Sequence, residues 1–260
     1  MTPAPSTRTR TVDATAAGVP VPVTFTERGA GRPVLLLHGG AGPQSVENFA
    51  ARLAEEGPAR VIVPVHPGFG GTPRPDQLAS MRALAAVYGQ LIADLDLAGV
   101  TVIGNSIGGW IAAEIAIQNS PRVSRAILID AAGLEVPGHP VADFFSLTMD
   151  QVFELSFHNP GPYRIDPATL PPAAQAIAAG NRAALSAYAG RAMTDPTLGG
   201  RLREVAVPTL VIWGDSDQMV DPEYGRAFAA AIPGARFELL KDTGHMPQVE
   251  TPGQLLEAIR

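Results

Sequence analysis

The 260-residue chain is 46% hydrophobic and 17% charged, carries a net charge of −6 and has no cysteine. Such a composition suits one large α/β domain, or a domain with an insertion, and excludes disulfides, thiolate catalysis and cysteine-ligated metals. The acidic balance, with no run of Lys or Arg, argues against nucleic acid or an anionic membrane as partner.

Residues 1–11, rich in Pro, Thr and Arg, are expected to fray. They lack the apolar centre of a signal peptide, and no run of about 18 apolar residues suggests a membrane span. The expectation is therefore a cytoplasmic protein. Val19–Arg28 alternates like an antiparallel edge. Val34–Leu37 is a short continuous apolar run, as a strand buried on both faces requires. Further strands are expected at 61–65, 100–103, 126–129, 209–213 and 236–240, with helices at 46–56, 84–95 and 107–118. Strands alternating with helices imply a mostly parallel sheet covered on both faces.

From Leu134 to Leu202 that rhythm stops. Val141–Leu147, Met149–Phe157 and Pro172–Ala189 are helical in pattern, and Thr148 is a plausible N-cap for the second. The stretch is long for one crossover, so it reads as a helical lid inserted between two core strands. The domains are then a core of 1–133 and 203–260 and a lid of 134–202.

The pentapeptide Gly104-Asn105-Ser106-Ile107-Gly108 joins an apolar strand to a helix. A turn tight enough to lift a serine hydroxyl above a sheet needs small residues on either side of it, and positions 104 and 108 supply them. Ser106 is therefore the candidate nucleophile. A serine needs a base, and the base an orienting carboxylate. His245, just beyond the last strand, and Asp217, in the loop after Trp213, follow Ser106 in the chain. All three fall at carboxyl ends of expected strands, where functional loops gather in open sheets. Asp215 and Asp130 are the alternative acids. No pair of histidines has metal-ligand spacing, and no phosphate-cradling loop is present, so neither a metal nor a cofactor is implied.

Five stretches in this order and context resemble the α/β-hydrolase superfamily over nearly the whole chain. They are His38-Gly39-Gly40, Pro67-Gly68-Phe69-Gly70, Gly104–Gly109, Gly214–Asp217 and Gly244-His245. The resemblance implies an eight-stranded, mostly parallel sheet with the lid inserted after strand 6. It implies Ser106 as nucleophile, His245 as base and then acid, and Asp217 as the acid that orients it. It also implies an oxyanion hole from the amides of Gly40 and Ile107, each such donor being worth roughly 10²–10³ in rate. His38 is expected to brace the oxyanion loop and His66 to be a loop residue or to line the pocket.

The apolar lid residues Phe144, Phe145, Met149 and Phe153 point to a non-polar acyl or aryl small molecule, with Trp110, Val220 and Met246 as pocket candidates from the core. The elbow sequence and Asn48-Phe49 are also similar to the serine C–C bond hydrolases of meta-cleavage pathways, which adds Asn48 as a substrate-binding candidate. Those enzymes commonly place Trp after the catalytic histidine, where this chain has Met246, and their spacing from the oxyanion segment to the Asn is one residue longer. A carboxylic-ester hydrolase ranks first and a C–C hydrolase second. A lyase or another non-hydrolytic member of the fold is the alternative from a different class.

Overall fold

The computed structural model describes residues 8–16 and 19–260. Eight strands form one sheet: β1 (Arg8–Ala16), β2 (Val19–Gly29), β3 (Arg32–Leu37), β4 (Ala59–Pro64), β5 (Val100–Asn105), β6 (Val123–Ile129), β7 (Thr209–Gly214) and β8 (Arg236–Leu240). Their order is β1-β2-β4-β3-β5-β6-β7-β8. β1 and β2 pair antiparallel with each other, as do β2 and β4; every pairing from β4 to β8 is parallel.

The apolar strands bury both faces, as their unbroken runs require. In β3, Leu35 and Leu37 enter one core cluster while Val34 and Leu36 enter the other. The first face is covered by α2 (Met81–Asp94), α3 (Ile107–Ile117) and α7 (Pro222–Ala231), and the second by α1 (Gln44–Glu56) and α9 (Pro252–Ile259). Each fully buried Leu or Ile contributes about 1.5–3 kcal/mol, so a polar substitution in β3 or β5 weakens the layer that its side chain enters.

The segment between β6 and β7 carries α4 (Met149–Ser156), two single 3₁₀ turns, α5 (Pro172–Ala189) and α6 (Leu198–Leu202). Thr148 caps α4 in a full capping box with Gln151. Val141–Leu147, expected to be helical, is instead irregular, with a single turn at 144–146. It has no cap of its own, and the Ala142 amide is drawn to the Met219 carbonyl, 2.8 Å away in the loop after β7. The N-terminal expectation also changes. Residues 1–7 lie outside the described part, but from Arg8 the chain is strand, because all of β1 finds a ladder partner in β2. Among the described residues no helix is long and apolar enough to cross a membrane.

Candidate active site

The carboxyl ends of β5, β6, β7 and β8 open toward the helical segment, and the site forms there. Ser106 follows β5 with φ 57° and ψ −120°, a conformation that costs a non-glycine residue on the order of 1–3 kcal/mol. The surroundings hold it in place. Its amide donates to the Ile129 carbonyl at 2.9 Å, and its carbonyl accepts from Trp110 at 3.1 Å and Ala132 at 3.3 Å. A Cβ at Gly104 would sit 2.0 Å from the Gly108 carbonyl oxygen, so only glycine lets helix α3 pack this closely on its own strand.

His245 lies in the loop after β8 and Asp217 in the loop after β7. His245 Nδ1 donates to Asp217 Oδ2 at 2.7 Å, since a carboxylate can only accept here; this fixes the ring so that Nε2 is the nitrogen turned away from the carboxylate. Asp217 Oδ1 accepts the amides of Met219 (2.8 Å) and Val220 (3.1 Å), which fix the carboxylate plane. The histidine loop is pinned in turn. The His245 amide donates to the Ser156 carbonyl at 2.8 Å. Its carbonyl accepts Asn105 Nδ2 at 2.9 Å, and Gln248 Nε2 donates to Asn105 Oδ1 at 3.1 Å. Asn105 therefore ties the residue before the serine to the histidine loop. Asp215, the alternative acid, faces away, accepting from Ser216 Oγ (2.8 Å) and the Thr243 amide (3.3 Å). Of the two acids in that loop, Asp217 is the one bonded to the imidazole.

The amides of Gly40 and Ile107 have no acceptor among the described residues, and both residues border the cavity. Beneath Gly40 lies a buried pair of imidazoles. His38 Nδ1 donates to the Gly39 carbonyl at 2.7 Å, and its Nε2 accepts the His66 amide at 3.2 Å. His66 Nε2 donates to the His38 carbonyl at 2.9 Å, leaving Nδ1 to accept the Tyr88 hydroxyl at 2.5 Å. This pattern requires both rings to be neutral. Burial pushes His38 down to about 4; burial, with the neighbouring His38, pushes His66 well below its ordinary value. His38 thus braces the loop as expected. His66 is neither a surface loop residue nor a pocket wall but a fully buried strut.

Above the serine is a cavity of about 630 Å³. Ser106, His245, Gly40 and Ile107 line its floor; Phe144, Met149, Phe153, Val220 and Met246 line its walls. Three expected contacts are displaced. Asn48 is exposed on the outer side of α1. Trp110 packs under Gly133, where a Cβ would meet its ring at 2.4 Å. Phe145 turns edge-on to Phe144 and takes Arg182 and Arg191 over its ring. Wall residues that the sequence reading missed include Ser156, Asn181, Leu185, Met193 and Met219. Asn181 and Leu185 had a legible signal, since they are one helical turn apart on α5 and share a face.

One oxygen of Asp130, one of Asp217 and a ring nitrogen of His245 lie within 4.8 Å of one another, the only grouping of this kind among the described residues. The Asp217–His245 hydrogen bond already engages two of its three members.

The chain belongs to the α/β hydrolase family, whose model, described as "Alpha/beta hydrolase family", matches residues 34–258. It is 30% identical over 249 residues to Lipase 3 of Moraxella sp. (strain TA144), spanning 85% of this chain and 73% of that one. It is 29% identical over 256 residues to the 2-hydroxy-6-oxo-6-(2'-aminophenyl)hexa-2,4-dienoic acid hydrolase of Metapseudomonas resinovorans, covering 92% and 86% of the two chains. Among solved structures, a thermophilic esterase from Thermogutta terrifontis superimposes with a TM-score of 0.77 at 26% identity, covering 97% of each chain.

Proposed function

We propose that this hydrolase is a serine esterase that cleaves carboxylic esters of non-polar small molecules through an acyl-enzyme. Ser106 Oγ attacks the carbonyl carbon and His245 Nε2 takes its proton. The oxyanion is received by the Gly40 and Ile107 amides, and Asp217 holds the imidazole in the tautomer that makes Nε2 the base. His245 then protonates the leaving alkoxide, and water activated by the same nitrogen releases the acid. Residues 134–202 act as the lid that shapes the acyl and alcohol pockets. The observation that carries the reading is the Asp217–His245 hydrogen bond of 2.7 Å beside a serine held at positive φ, on the floor of an apolar cavity.

The reading is tested by labelling with a fluorophosphonate, followed by turnover of 4-nitrophenyl esters of rising chain length. Covalent labelling at Ser106 and ester turnover are expected; an unlabelled, inactive protein would rule the esterase out. C–C bond hydrolysis is the second reading, and Arg182 favours it. It is the one cation lining the cavity, and a dienoate substrate brings a carboxylate. Its Nη2, however, already donates to the Phe144 and Phe145 carbonyls (3.2 and 2.8 Å), so much of its hydrogen-bonding capacity is spent on the wall. Labelling without ester turnover, together with cleavage of a 2-hydroxy-6-oxo-dienoate, would reverse the ranking.

A further inference from the structure

Asp130 ends β6 with φ 45°, and its side chain is fully buried. Its Oδ1 accepts the Gly214 amide at 2.8 Å. Its Oδ2 has no partner, although Asp130, Asp217 and His245 each place a polar atom within 4.8 Å of the others. The titratable groups facing it are Asp217, from the loop after β7, and His245, from the loop after β8. No Lys or Arg is among the charges acting on it.

Two carboxylates in one dry space repel each other, and the repulsion is relieved when one of them keeps a proton. Asp217 accepts from one imidazole and two amides, donors that favour a charged carboxylate. Asp130 accepts from a single amide and has one buried oxygen with nothing bonded to it. Burial first, and the Asp217 charge second, hold the Asp130 carboxyl well above the ordinary carboxylate range.

We propose that Asp130 is a positioning residue of this site, a neutral carboxylic acid whose Oδ2–H donates to the Asp217 carboxylate, so that the pair holds one proton and one negative charge. The proposal rests on the reading of Asp217 as the acid that orients His245. It satisfies the orphaned oxygen. It also braces Asp217 from behind and keeps the charge opposite His245 at one rather than two. A second anion there would favour the imidazolium and take the base out of use at neutral pH.

Asp130→Asn replaces an O–H donor by an N–H donor at the same charge. The expected result is a kcat/KM for 4-nitrophenyl esters within about threefold of the parent protein, with the acid limb of its pH profile unmoved. Asp130→Ala removes the donor, and kcat is expected to fall about tenfold at unchanged KM, in line with the loss of a hydrogen bond to a charged group. Were Asp130 an anion, Asp130→Asn would remove a negative charge beside His245 and move the acid limb to lower pH by about a unit; that shift overturns the proposal. ¹³C NMR of the parent protein labelled at aspartate Cγ gives a reading that needs neither turnover nor a folded variant. One carboxyl carbon with a protonated shift at pH 7 is expected, and its absence overturns the proposal whatever the activity. The same signal in a protein that neither labels with fluorophosphonate nor hydrolyses esters would leave the proton on Asp130 and sink the esterase reading alone.

Discussion

The floor and the roof of the cavity are held by different forces. On the floor, Ser106, Asp217, His245 and Asn105 each sit in a fixed set of hydrogen bonds between 2.7 and 3.4 Å. The roof, between β6 and β7, presents Phe144, Met149, Val152, Phe153 and Leu170 to the cavity, and their apolar side chains make no hydrogen bond. Directional bonds specify residue type and spacing, so the floor tolerates almost no substitution. Contact specifies only volume and shape, so the roof can vary while remaining a roof. On the proposed reading, reaction type belongs to the floor and substrate choice to the roof.

The sharpest break in that comparison is Ser106→Ala, expected to lower kcat by about 10⁶-fold with the thermal transition intact, as single-turnover assays and calorimetry would show. A change confined to the roof should never approach this. Asp217→Asn is expected to cost about 10⁴-fold in kcat, because the amide holds the wrong tautomer of His245. Asp215→Asn, assayed beside it, should change kcat little; if the two results are reversed, the orienting acid has been misplaced.

The comparison can also be broken through stability. Glu114, buried on helix α3 just after Ser106, is held bidentately by Arg201 of α6, with one arm at 2.8 Å. Arg201→Leu leaves that carboxylate buried and unpaired and is expected to cost about 3–5 kcal/mol in urea unfolding. The variant should retain fluorophosphonate labelling wherever it is folded.

A pH series probes the struts beneath the floor. His38 is depressed to about 4 in the folded state from 6.5, so between those values the unfolded chain binds the extra proton. Stability is then fully present above pH 6.5 and is lost as the pH falls toward 4, by on the order of 2 kcal/mol between pH 7 and pH 5 from His38 alone. His66 acts in the same direction. Urea melts at the two pH values measure it, and no dependence in that window would mean that the imidazoles are not buried as neutral rings. The smallest effect belongs to the roof. Phe153→Ala is expected to lower kcat/KM about tenfold for long acyl esters and barely at all for acetate. Equal losses for both chain lengths would show that Phe153 serves the floor after all.

The floor was the more legible region for the same physical reason. Ser106 in its Gly-x-Ser-x-Gly turn after β5, Asp217 in the loop after β7 and His245 in the loop after β8 are placed by local chain geometry, and the structure brings all three to one end of the sheet. The roof is a tertiary object. Val141–Leu147 has an amphipathic pattern but no cap, and one backbone bond to Met219 outweighs its helical preference. Phe144 and Phe145 are neighbours of equal hydrophobicity, yet only the first faces the cavity; both rings pack under Arg182, thirty-odd residues away, a contact that local sequence does not announce. His66 looked like a loop residue because nothing local announces that Tyr88, from another helix, reaches its ring. β1 was missed because a Thr- and Arg-rich strand owes its order to β2 rather than to its own apolarity.

The place where floor and roof meet has a practical consequence. At Gly244 a Cβ would lie 2.4 Å from the Ser156 carbonyl oxygen, and the Glu250 carboxylate gathers the amides of Gly244, His158 and Asn159 at 2.7, 3.2 and 2.9 Å. The end of α4 is thereby stapled to the histidine loop. For anyone exchanging roofs between relatives, residues 156–159 are the part to keep: a transplant that spares them leaves the staple whole, whereas one that carries foreign residues across them also replaces the support of the histidine loop.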